Sequence, residues 1–102
     1  MPQIYPYSYS EAARAEEMIP SMTYAVLVAN LRWLTDIGVL SDRNPVSMLV
    51  AARIVDRSRI ERSGLSVDDL RAALDWYRSH RGAVRGIVLA LEQAVETAKP
   101  PA

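Results

Sequence analysis

Eleven of the twelve basic side chains in this chain of 102 residues are arginines. Eight of them fall between positions 53 and 85: Arg53, Arg57, Arg59, Arg62, Arg71, Arg78, Arg81 and Arg85. A guanidinium is permanently charged and presents a planar fork of donors that matches phosphate. Five acids share the stretch (Asp56, Glu61, Asp68, Asp69 and Asp75), which leaves it at +3, while the first twenty residues carry one arginine against three glutamates, or −2. The neutral chain therefore has a basic half. Arg53 and Arg57 stand one helical turn apart, and Arg78, Arg81 and Arg85 surround a turn that holds His80. Such a patch suits a phosphate backbone. The same residues also fit a solvated face crossed by internal pairs, with Asp75 spaced to meet Arg71 and Arg78, and an arginine bias can come from a GC-rich genome. Composition leaves these readings open.

Catalytic chemistry finds less support. The chain has no cysteine, which removes thiolate nucleophiles, disulfides and cysteine zinc sites. His80 is its one histidine, and a lone histidine in a turn reads as solvated rather than as a base beside a nucleophile. Asp68 and Asp69 read as helix N-terminal charge rather than metal ligands. Gly82 and Gly86 are too few for a phosphate-cradling loop. The sequence reads as a non-enzyme without cofactor or metal. Tyr5, Tyr7 and Tyr9 lie with Pro2 and Pro6 in residues 1–9, read as an extended arm that packs on the domain, binds a partner chain or stacks on bases.

Zero net charge gives no global pull toward nucleic acid or membrane, so any such binding has to be local. It also leaves self-association unopposed. Residues 1–9 lack the basic and apolar regions of a signal peptide. The longest apolar run, 24–34, contains Asn30 and Arg32 and is too short to span a bilayer. A cytoplasmic protein is expected. Met1 and the Pro100-Pro101 tail are read as the two ends of a short, complete chain.

The elements that must position these side chains read as helices throughout. Ser8 or Ser10 caps a helix over 11–19 with Glu11 in its first turn. Ser21 or Thr23 opens a second over 21–37, apolar nearly all round and so central, with Gly38 as its left-handed stop. Its β-branched run permits a strand, but its length and the glycine favour helix. Asn44-Pro45 starts a third that runs to about 57, with Val46, Leu49, Val50, Ile54 and the stem of Arg53 facing inward. Residues 58–63 add a turn that carries Ile60 into the core, closed by Gly64. Ser66 to Asp69 approximates a capping box for a helix over 67–79, with Val67, Leu70, Leu74 and Tyr77 on one face. A last helix over 83–97 buries Val84, Ile87, Val88, Leu91 and Val95. No segment alternates with the period of a strand. The expectation is all-α: five or six short helices in one domain over 10–97, as a HEAT-repeat-like α-solenoid fragment or a small orthogonal bundle, followed by a frayed tail at 98–102.

Three stretches resemble part of the TROVE domain, the module of Telomerase, Ro and Vault proteins. They are YAVLVANLRWLT at 24–35 with Gly38-Val39-Leu40, the run from Asp56 to Tyr77, and Ser79 to Gly86 followed by Ala90, Leu91 and Ala94. Together they span about residues 20–94 in the family's order. The resemblance implies a segment of a ring of HEAT-like helical repeats that binds RNA, too short to close a ring alone. Val67 stands where the family has proline, and the family's Trp-Pro loop, its most basic helices and the metal-binding companion domain of Ro proteins have no counterpart.

Two functions follow as expectations. One is a non-catalytic RNA-binding or ribonucleoprotein-associated module that uses Arg53, Arg57, Arg59, Arg62, Arg78, Arg81 and Arg85, with His80 assisting. The other is a helical interaction module that self-associates or docks onto a larger helical-repeat protein, with the tyrosine arm as a clamp.

Overall fold

The computed structural model describes residues 9–98, with side chains from Glu11 onward. The fold is all-α, and no strand occurs among the described residues. The helices are α1 (Tyr9–Met18), α2 (Tyr24–Ala29), α3 (Leu31–Asp36), α4 (Val46–Val55), α5 (Arg57–Ser63), α6 (Val67–Arg78) and α7 (Arg85–Ala98), with a 3-10 turn at Ile19–Ser21. That is seven among the described residues, against the five or six expected, and two splits explain the difference.

The first split is at Asn30. Its amide donates to both the Val26 and Leu27 carbonyls, and its side-chain Nδ2 bonds the Val26 carbonyl at 2.8 Å. An asparagine that competes for the carbonyl one turn back weakens the helix it sits in. The expected helix over 21–37 becomes α2 and α3, joined at this tightened step. Thr23 is the cap, accepting from the Val26 amide at 3.3 Å. The second split is at Asp56, whose extended backbone (ψ 107°) ends α4 and whose carboxylate accepts from the Ser58 amide to cap α5. Arg53 and Arg57 are thus on different helices rather than one turn apart on the same one.

Several stops and starts follow the sequence closely. Gly38 has φ 84°. The Gly38 amide bonds the Thr35 carbonyl and the Val39 amide bonds that of Leu34, the paired bonds of a Schellman stop. Ser66 and Asp69 form a full capping box at α6. Asn44 Oδ1 accepts from the Val46 amide at the start of α4. The arm ends earlier than expected: α1 already includes Tyr9 and Ser10. Tyr5 and Tyr7 lie outside the described residues, as does the tail from Lys99 on.

One apolar cluster runs from Ala15 to Val95. Its centre is α7, which packs against α4, α6 and α5 and buries Ile87, Ala90, Leu91, Ala94 and Val95. Each fully buried leucine or isoleucine contributes roughly 1.5–3 kcal/mol, and the alanines let the neighbouring helices approach. Helix α4 turns differently from expectation. Ser47, Val50 and Ile54 face inward, while Leu49 is 69% exposed and Met48 77%. Ser47 is retained inside because its hydroxyl both donates to the Ser41 carbonyl and accepts from the Ser41 amide, clamping the preceding loop.

Helices α3, α6 and α7 are joined by a chain of hydrogen bonds whose direction can be assigned. The Thr35 hydroxyl donates to the Leu31 carbonyl at 2.8 Å. The Tyr77 hydroxyl, 2.8 Å from Thr35 Oγ1, must then donate to it. Tyr77 in turn accepts from the Val84 amide at 3.2 Å. Burial pushes the Tyr77 pKa up, as expected for a phenol held neutral in this chain.

Candidate anion-binding surface

The arginines gather in two places. The first is built where α5 meets the turn before α2. Arg53, half-buried at the end of α4, reaches the carbonyls of Ile19, at 2.7 Å, and Met22. Its head is spent on holding a turn, not held out for a ligand. Burial, and the charge of Arg59, lower its pKa. Arg59 pairs through Nε with Asp56 at 3.2 Å. Arg62 bonds through Nε to the Ser58 carbonyl at 3.1 Å and has no carboxylate partner among the described residues. Arg53, Arg59 and Arg62 line one open cleft of about 570 Å³, with Pro20, Thr23 and Ala25 among its other walls. None of its lining side chains is acidic. Arg57 is not in that lining; it forms an exposed pair with Glu61 at 2.9 Å, a contact of small net worth.

The second place is the turn between α6 and α7. Arg78 pairs with Asp75 at 2.8 Å, whereas Arg71, also spaced to meet Asp75, makes no ion pair with it. Arg81 and Arg85 are exposed and have no hydrogen-bond partner among the described residues. His80 departs from its expected role. Its side chain is only 10% exposed, and Nε2 lies 2.7 Å from Asp36 Oδ1 at the end of α3. The ring also stacks on Tyr77, with centroids 6.3 Å apart. His80 is therefore not solvated; it ties the turn to α3 through the Asp36 carboxylate. Gly82, at φ 87°, lets the chain fold back against Thr35 there. Asp36 gave no sign of this contact in the sequence, because it lies 44 residues from its partner.

Sequence reasoning also missed an apolar face. Pro45, Met48, Leu49 and Ala52 lie at the spacing of one helical stripe, and all four are exposed. Beside it, an open groove of about 410 Å³ runs past Met48 and Ala51 to Val84 and Gly86 at the start of α7. Leu89, one turn further along α7, is 54% exposed.

No family model matches the chain, and no curated protein or solved structure shows significant similarity to it. Function therefore has to be argued from the surface. Among the described residues no three His, Asp or Glu side chains are grouped to hold a metal ion, and every buried side-chain polar atom is hydrogen-bonded. Nor is any helix among them long and apolar enough to cross a membrane.

Proposed function

We propose that this chain is a non-catalytic, TROVE-like RNA-binding module whose contacts are to phosphate rather than to bases. The observation that carries this reading is the cleft in which Arg53, Arg59 and Arg62 converge without an acidic lining. Phosphate contacts by arginine position a strand without reading its sequence. Arg59 and Arg62 keep their terminal nitrogens free, and Arg81 and Arg85 offer a second pair at the α6–α7 turn. Arg53 supports the cleft by fixing its Ile19–Met22 wall, and His80 supports the turn.

The test is a titration of single-stranded RNA followed by fluorescence anisotropy at several salt concentrations. Two to four neutralised phosphates give a slope of log affinity against log salt of about −1.4 to −2.8. An absence of binding at about 50 mM salt, or binding without a slope, removes the proposal.

A second reading is favoured by the stripe Pro45, Met48, Leu49 and Ala52. Four exposed apolar positions at helical spacing are the pattern by which one helix docks on another, and a helical repeat does not bury its faces alone. The partner on this reading is a helix of a larger helical-repeat protein. Light scattering over a dilution series separates it from self-association, which appears as a mass that rises with concentration.

A further inference from the structure

The charges lining the Arg53–Arg59–Arg62 cleft are only partly balanced within the protein. Arg59 is offset by Asp56. Arg53 meets only the carbonyl oxygens of Ile19 and Met22, and Arg62 only that of Ser58. Carbonyls satisfy the N–H groups but leave the charge, and although Glu16 lines a neighbouring cavity with Arg53 and Arg59, the cleft keeps a positive excess centred on Arg62. Like charges crowd there as well, since Arg59 acts unfavourably on the Arg53 cation.

Two further features bear on what would balance them. Each of Arg59 and Arg62 spends only its Nε, which leaves both terminal nitrogens for a bidentate contact with a tetrahedral oxyanion. The Thr23 hydroxyl, on the cleft wall, accepts from the Val26 amide but has its own proton to give. At about 570 Å³ the cleft is the size of a small-ligand site, within the roughly 300–1,000 Å³ usual for these. The walls at Pro20 and Ala25 are apolar, which suits a sugar or base beside a phosphate.

An internal phosphodiester carries one negative charge, whereas a phosphate monoester carries about −1.5 to −2 at neutral pH. We infer that the cleft is a discrete site for a phosphate monoester of nucleotide size, held by Arg59, Arg62 and the Thr23 hydroxyl. This preference for a monoester over a diester goes beyond the RNA reading and does not require a polymer. The monoester has two chemical sources, a free nucleoside monophosphate and the phosphorylated end of an oligonucleotide.

The experiment uses the full chain and measures binding of four probes at low salt. These are adenosine monophosphate, and one RNA oligonucleotide with a 5′-phosphate, with a 3′-phosphate and with hydroxyl ends. The expected result is tenfold or tighter binding of a phosphorylated oligonucleotide than of the hydroxyl-ended one, or binding of the mononucleotide itself. Arg62→Gln abolishes that preference. Arg62→Lys restores part of it, because the charge returns without the fork. Arg71→Gln, on the exposed side of α6, leaves it unchanged, and circular dichroism verifies that each variant is folded. Equal affinity for all three oligonucleotides, with no binding of the mononucleotide, overturns the inference and leaves the RNA reading standing. Arg62-dependent binding of the mononucleotide without binding of any oligonucleotide supports the inference and removes the RNA reading. Binding of none of the four overturns both.

Discussion

Replacing Tyr77 by Phe tests the hydrogen-bond chain that joins three helices, because the change removes one oxygen and keeps the ring. Tyr77 is fully buried, and its hydroxyl both accepts from the Val84 amide and donates to Thr35. In the variant the Val84 N–H, on a residue only 5% exposed, has no acceptor. An orphaned buried donor costs about 1–3 kcal/mol, and Thr35 keeps its own bond to the Leu31 carbonyl. The expected loss is therefore about 2 kcal/mol, which for a domain of this size lowers the melting temperature by roughly 8–16 °C. Urea unfolding followed by circular dichroism measures it, and the slope m stays unchanged because the native state is as compact. Thr35→Val strips the acceptor from the Tyr77 hydroxyl and costs about 1–2 kcal/mol. The double variant loses less than the sum, by about 0.5 kcal/mol or more, because the shared bond is counted twice. A loss below about 0.5 kcal/mol for Tyr77→Phe, or strict additivity, refutes the hydrogen-bond chain.

Arg53→Met keeps the apolar stem but releases the Ile19 and Met22 carbonyls; it destabilises by about 1–3 kcal/mol in denaturant unfolding, whereas Arg57→Met, on an exposed pair, stays within about 0.5 kcal/mol. Tyr24 donates to the Ile54 carbonyl, and burial, with the charge of Asp56, raises its pKa to about 12. Because the folded value lies above the unfolded one, its contribution of roughly 2–3 kcal/mol is whole below pH 10 and is lost as the pH rises toward 12. A tyrosinate absorbance titration of the folded protein in which every described tyrosine ionises at its ordinary pKa contradicts this. Met48→Glu leaves stability within about 0.5 kcal/mol, since that side chain is already in water; if the α4 face docks a partner helix, it abolishes that complex in a pull-down with the partner while RNA affinity is unchanged.

Much of the helical plan was legible because its signals are local. Gly38, Gly64, the Ser66–Asp69 box and Asn44-Pro45 act through backbone geometry within a few residues, and each stands where its chemistry put it. The regular stripes of α6 and α7 were equally readable, since period and burial agree there. Where a helix is apolar on every side the pattern loses its meaning. Nothing in VSMLVAARIV says which face turns inward, and the fold buries Ser47 while leaving Leu49 in solvent. Asn30 and Asp56 are illegible for a related reason: each is an ordinary helix residue until its side chain takes a backbone group from the helix.

The sequence by itself determined an all-helical chain, its main stops and a surplus of arginine without cysteine. Only the tertiary structure decided what each arginine does. Arg53 was diverted to two carbonyls more than thirty residues away, Arg57 and Arg78 to carboxylates on their own helices, and His80 to Asp36 across the turn. In the cleft and at the α6–α7 turn that left Arg62, Arg81 and Arg85 without a carboxylate, and Arg59 tied to one through Nε alone. A charged side chain has one reach and many partners within it, and which partner it meets is set by how the helices pack, at separations along the chain that residue spacing does not encode.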